Sequence, residues 1–329
     1  MKFLIIGLGS MGKRRIRNLL FHKVKKNNIY GFDLSEDRCE EVTKKYQVQT
    51  FTNFALAVKQ VKPTTLIIST PPHLHEFYFL YAAEHHLHFF VEVATTDQGY
   101  DKLQKILAQN KELVAAPSCS YRFYQPIKKI KKLLDMGKIG RVQAFTHHMG
   151  QYLPDWHPWE NYRQFYVSQA ASSACREMLP FELSWLTWLF QDEFIEARGL
   201  TGKCSDLDLK IDDTYLALLK SKKGILGNLM IEVIARFPFR SLRILGSQGV
   251  LEWEWQEQQI RLYQSKTKKW STINLKAEKK LKAYRTSTEG MYQDEIKAFL
   301  RALDKKEKFP YTFEEDQKNF RILKIIEGK

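Results

Sequence analysis

The sequence predicts an α/β protein of two parts: an N-terminal doubly wound parallel sheet, then a C-terminal α/β domain on an open, mainly antiparallel sheet. Three observations carry this. Short continuous apolar runs alternate with helix-periodic segments over residues 1–120, the pattern of a parallel sheet covered on both faces. The first of these runs leads directly into three glycines spaced GxGxxG. From residue 214 onward the pattern changes to paired strands separated by Gly- or Lys-rich turns.

The elements follow in order. "KFLIIGLGSMGKRRIRNLL" reads as a buried strand, a glycine turn and a helix with Ile16, Leu19 and Leu20 at helical intervals. Gly7 makes the tight turn, Gly9 lets backbone approach a pyrophosphate, and Gly12 lets the helix pack close to the strand. The first amides of that helix, from Ser10 and Met11 onward, face the anion. "NNIYGFD" is a second strand, ending in Asp33 about twenty residues beyond Gly12. A carboxylate there accepts hydrogen bonds from an adenosine ribose and repels a ribose phosphate, so NAD is expected rather than NADP. The bland alternative is that the glycines punctuate a turn and Asp33 caps the next helix. "TTLIIST", "HFFVE" and "ELVAAPS" are further strands, interleaved with the helical patterns "SEDRCEEVTKKY", "HEFYFLYAAEHH" and "GYDKLQKILAQN". Ligands bind at the carboxyl ends of such strands, which places Ser69, Thr70, Pro71, His75 and Glu92 beside the cofactor.

With 329 residues, 44% of them hydrophobic, the chain can bury a sizeable core in two domains. The expected division is 1–120 for dinucleotide binding and 121–329 for substrate binding and oligomerisation, the closing helices being free to pack back on the first domain. The N-terminal apolar run is broken by glycines without a cleavage site, and "FELSWLTWLF" is too short to span a membrane and carries Glu182, so a cytoplasmic protein is expected. Cys39, Cys119, Cys175 and Cys204 are scattered without a CxxC pair, which argues against a disulfide framework or a metal site. The formal charge of +15 is spread over helices and turns without a nucleic-acid recognition motif. Such a field favours anionic substrates, among them phosphorylated or nucleotide-linked sugars. Trp253, Trp255, Leu242 and Ile244 are expected on a sheet face not covered by helices, a surface for a homodimer or homotetramer.

"GLGSMGKRR", "STPPHLH", "FFVE" and "CSYRFYQPIKKIKKLLDMGKIGRVQAF" together resemble the Gfo/Idh/MocA group of sugar and inositol dehydrogenases, over essentially the whole chain. The resemblance implies a Rossmann domain followed by an α/β domain, with a carbohydrate substrate held between them against the nicotinamide. It also exposes two departures. The family's strand usually ends Glu-Lys-Pro, where this chain has Glu92, Val93 and Ala94. The family's second catalytic segment usually supplies an aspartate and, four residues on, a histidine. Aligned on Trp188 and Leu189, those positions are Glu177 and Phe181. Neither Val93 nor Phe181 can move a proton.

Three residues stand as candidates for that task. Glu177 can serve as a base from a partly buried site, or it can pair with Arg176 or Arg122. His157 lies in the aromatic, Pro-broken segment "GQYLPDWHPWENYRQFY", where Trp156 and Trp159 offer flat faces for a sugar ring and Glu160, Tyr162 and Arg163 supply polar handles. Tyr121 stands at the crossover between domains and can donate a hydrogen bond or act as an acid. Its neighbour Arg122 occupies a position that in the family lies by the active site, for an anionic substrate group or an interdomain salt bridge. The expected function is an NAD-dependent oxidoreductase of an anionic or nucleotide-linked sugar. The alternative is a regulatory protein that binds NAD and a sugar without turnover.

Overall fold

The computed structural model describes residues 1–156, 158, 161–275 and 289–329. The chain divides into two compact units, Met1–Ser120 with Glu289–Gln317 and Tyr121–Thr288 with Lys318–Lys329.

The first unit is built on six parallel strands, β1 (Phe3–Ile6), β2 (Ile29–Phe32), β3 (Gln49–Phe51), β4 (Thr65–Ile68), β5 (His88–Val91) and β6 (Ala115–Pro117), in the order β3-β2-β1-β4-β5-β6. β1 and β4 are buried along their whole length, which is why their sequences read as unbroken apolar runs. The strand order reverses between β1 and β4, the point at which such sheets bind ligands. The helices between the strands are α1 (Ser10–Phe21), α2 (Glu36–Tyr46), α3 (Phe54–Val61), α4 (His75–Glu84) and α5 (Tyr100–Gln109). Ser35 and Asn53 start α2 and α3 by accepting the amides of Arg38 and Leu56. β3 and α3 had no counterpart in the sequence reading, β3 being only three residues long.

The second unit opens with α6 (Gln125–Asp135) and continues through β7 (Val142–Tyr152), α7 (Ala174–Phe190) and β8 (Phe194–Gly202). The remaining strands are β9 (Thr214–Ser221), β10 (Leu226–Glu232), β11 (Ile234–Gly246), β12 (Gly249–Glu254), β13 (Gln259–Gln264) and β14 (Lys269–Asn274). Its eight-stranded sheet runs β14-β13-β12-β11-β7-β10-β9-β8, antiparallel throughout except for the β7–β10 pair. The hairpins read from sequence, β9–β10, β11–β12 and β13–β14, are present.

One expectation about this sheet is overturned. Trp253, Leu242 and Ile244 do not lie on an uncovered face: all three are buried within the chain, and Trp255 is half-buried. The exposed face is the opposite one, where Leu200, Leu216, Leu218 and Leu226 stand open on β8, β9 and β10. Alternation with period two separates the faces but does not say which of them the helices cover.

Two closing helices follow, α8 (Glu289–Leu303) and α9 (Phe313–Ile326). α8 returns to the first unit, where Glu289 accepts from Arg14 and Asn18 of α1 and Phe299 packs on Phe90 of β5. Among the described residues no helix is long and apolar enough to cross a membrane.

Candidate active site

The glycine turn of the first unit distinguishes what the protein needs from what a ligand needs. Gly7 has φ +87°, and a Cβ built there would lie 2.7 Å from the Ser69 carbonyl oxygen. At Gly12 a Cβ would lie 1.9 Å from the Gly7 oxygen. Both glycines are required by the chain's own packing. Gly9 is not, because a Cβ there meets nothing within 4 Å and would project into open space. That space lies above the start of α1 at Ser10 and Met11, where no side chain caps the helix amides, and an arrangement of this kind can hold a pyrophosphate.

The surrounding groups fit a dinucleotide. Asp33 Oδ2 accepts from the Leu8 amide at 2.7 Å and Oδ1 from the Ser35 amide at 3.0 Å, so the carboxylate ties the glycine turn to the end of β2. Arg38 lies 3.6 Å from the same carboxylate. Beyond β4, the Ser69 and Thr70 hydroxyl oxygens are buried without a hydrogen-bond partner among the described residues. Buried polar atoms left in this state need an external partner. Pro71 is exposed beside them.

His75 begins α4. Its Nε2 lies 2.8 Å from the Thr70 carbonyl, so that nitrogen carries the hydrogen, while Nδ1 has no partner among the described residues. Burial pulls its pKa down to about 4, which keeps the ring neutral at physiological pH. Glu92, at the end of β5, is gripped by Arg15: Nε to Oε1 at 2.5 Å and Nη2 to Oε2 at 2.9 Å. Arg15 is fully buried, and its Nη1 lies 2.9 Å from Glu295 of α8. Glu295 in turn accepts from Ser118 Oγ and the Cys119 amide. Burial raises the Glu295 pKa, with Arg15 opposing. Glu92 thus anchors the strand end to α1, a role for which the sequence offered no signal because its partner lies 77 residues away.

The second unit holds a buried polar cluster. The Tyr121 hydroxyl accepts from Arg240 Nη1. Arg240 Nη2 donates to Glu182 Oε1 at 2.6 Å. Glu182 Oε2 accepts from Trp185 Nε1 at 2.9 Å and lies 2.8 Å from His147 Nε2, whose other nitrogen faces the Ser241 carbonyl. Burial alone would raise the Glu182 pKa, but Arg240 and His147 hold it at about 2. The Phe181 ring meets the Tyr121 ring edge-on at 5.1 Å. Glu182, Arg240 and His147 were missed as site residues. The available signal was Glu182 itself, a carboxylate inside an otherwise apolar stretch.

The other candidates are more dispersed. Glu177 is half-buried in the first turn of α7, while Arg176 pairs with Glu327 and Arg122 Nε donates to the Ser184 carbonyl at 2.8 Å. Trp156 is half-buried, its indole N–H without a partner among the described residues. Arg163 forms an exposed pair with Asp208, a kind of contact worth about 1 kcal/mol or less. His157, Trp159 and Glu160 lie outside the described residues.

Residues 1–117 match the model of the oxidoreductase family with NAD-binding Rossmann fold, and residues 127–252 match that of the GFO/IDH/MocA C-terminal domain. The chain belongs to the Gfo/Idh/MocA family. Its first domain is therefore an NAD-binding Rossmann domain of an oxidoreductase family, in agreement with the glycine cradle. Solved structures share the fold across the chain at low identity. Myo-inositol 2-dehydrogenase from Lactobacillus plantarum is 18% identical with a TM-score of 0.81, covering 100% of this chain and 96% of that one. A levoglucosan dehydrogenase, solved with NADH and levoglucosan, is 16% identical with a TM-score of 0.82 and coverages of 100% and 96%. An oxidoreductase from Agrobacterium radiobacter, in complex with NAD+, L-tartaric acid and magnesium, is 14% identical with a TM-score of 0.86 and coverages of 100% and 97%. No curated protein matches this chain in a sequence search.

Proposed function

We propose that this Gfo/Idh/MocA protein is an NAD-dependent oxidoreductase of an anionic or nucleotide-linked sugar, with Tyr121 as its proton-handling group. The observation that carries the reading is the cradle: an open space at Gly9 bounded by Asp33, Ser69 and Thr70 at the carboxyl ends of parallel strands. The formal charge of +15 supports an anionic substrate, and the shared fold of myo-inositol and levoglucosan dehydrogenases supports a polyol or sugar. Asp33 supports NAD over NADP. Trp156 offers an aromatic face and an indole N–H to the sugar.

Tyr121 is preferred to Glu177 because its oxygen is already held by a guanidinium and its ring lies against Phe181, the position at which the family usually carries its imidazole. NAD, when bound, supplies the hydride or accepts it. In the reducing direction Tyr121 would give its phenolic proton to the substrate's carbonyl oxygen, and Arg240 would stabilise the phenolate that remains. Oxidation runs the same transfers backwards.

The reading extends to assembly and location. The exposed leucines of β8, β9 and β10 support a homodimer or homotetramer joined through that face. Four cysteines without a disulfide support a reducing, cytoplasmic setting. The test is NADH absorbance with NAD+ and a panel of myo-inositol, levoglucosan, uronic acids and UDP-linked sugars. Turnover is expected on the anionic or nucleotide-linked members and weaker with NADP+. Tight NAD binding without turnover on any sugar would replace this reading by the regulatory alternative.

A further inference from the structure

We propose that Arg240, clamped by Glu182 and His147, is the positioning residue that fixes Tyr121 for proton transfer. The inference rests on the reading of Tyr121 as the proton-handling group. It starts from an energetic oddity: a guanidinium, a carboxylate, an imidazole and an indole N–H are buried together in the second unit. Taking such groups out of water is costly, and replacing a buried ionic cluster by well-packed apolar residues is often neutral or stabilising. A cluster of this kind therefore calls for a reason beyond stability.

Its geometry is directed at one atom. Arg240 spends Nη1 on the Tyr121 hydroxyl and Nη2 on Glu182, and its guanidinium carbon lies 4.4 Å from the centroid of the Tyr121 ring. Glu182 is used on both oxygens, Oε1 by Arg240 and Oε2 by His147 and Trp185. His147 is fixed from behind by the Ser241 carbonyl. The parts come from separate elements: Arg240 from β11, Glu182 and Trp185 from α7, His147 from β7, Tyr121 from the turn before α6. No one of them can shift without breaking a hydrogen bond of another.

The chemistry follows from the donor inventory. A guanidinium only donates, so the phenol oxygen is an acceptor in this pair, and charge developing on that oxygen is stabilised by a cation held in place beforehand. Phe181, against the ring, offers no competing acceptor. Among the described residues, ionisable groups around Tyr121 and Arg240 include Glu182, His147 and Tyr124, with Arg122 adjacent in the same turn.

The experiment is NMR of NAD+-saturated protein carrying tyrosine labelled with 13C at the hydroxyl-bearing carbon, the Tyr121 resonance being assigned by its loss in Tyr121→Phe. In Arg240→Gln that resonance should titrate about one pH unit or more above wild type, with NAD+ affinity unchanged. Arg240→Lys keeps a cation but loses the fork, and should fall between the two. It also carries the test alone if the Gln variant does not fold. An identical Tyr121 titration in wild type and in a folded Arg240 variant overturns the proposal, whatever happens to melting temperature. A shifted titration in a protein that turns over no sugar upholds the Arg240–Tyr121 coupling but overturns its use in proton transfer together with the enzymatic reading, so the two failures are distinguishable.

Discussion

Tyr121→Phe keeps the ring that packs on Phe181 and deletes the oxygen that Arg240 donates to. Steady-state kinetics should show kcat falling about 10²- to 10⁴-fold with NAD affinity intact, the range typical for a lost acid–base group. Glu177→Gln should change kcat by only a few fold. The reverse pattern would transfer the role to Glu177. At this scale the sequence exposed the losses better than the replacements. Val93 and Phe181 could be read as departures from a family pattern, position by position. The Tyr121–Arg240–Glu182–His147 cluster could not, because it joins four distant segments, and strand alternation says whether His147 points inward but not what it meets there.

At the scale of elements, the glycine turn gives a prediction with two opposite halves. Gly12→Ala forces a Cβ against the Gly7 oxygen and should destabilise the first unit by roughly 2 kcal/mol or more in denaturant unfolding. Gly9→Ala meets nothing and should stay within about 0.5 kcal/mol of wild type while weakening NAD binding. Helix α4 carries a pH dependence. His75 has a folded pKa of about 4 against an ordinary value of 6.5, so its share of stability is complete above about 6.5 and is lost as pH falls toward 4. His75→Gln, which retains a donor for the Thr70 carbonyl, should flatten the fall in unfolding free energy across that window, by up to roughly 3 kcal/mol. β1, β2, β4 and β5 were legible because buried parallel strands write continuous apolar runs. β3 was not, since Gln49–Phe51 is too short to show a period, and the parallel β7–β10 pairing joins strands far apart in sequence.

At the scale of the whole molecule, the parallel first sheet and the mainly antiparallel second one were visible from the change to hairpins after residue 214, whereas the open face of the second sheet was assigned to the wrong side. Trp253 and Leu242 fill the core, and leucines on the other pleat are the exposed ones, Leu218 at 63% and Leu216 at 42%. Sedimentation equilibrium should give a mass above that of one chain, and Leu216→Lys with Leu218→Lys should return it to the monomer. A monomer mass for wild type across a concentration series would contradict the proposed assembly. The account depends above all on the cradle at Gly9. Calorimetric titration of NAD+ into the folded protein tests it most directly. One NAD per chain is predicted, with affinity reduced about tenfold or more, near 1.4 kcal/mol, in Gly9→Ala. Absence of binding heat with both NAD+ and NADH in folded wild-type protein would contradict it.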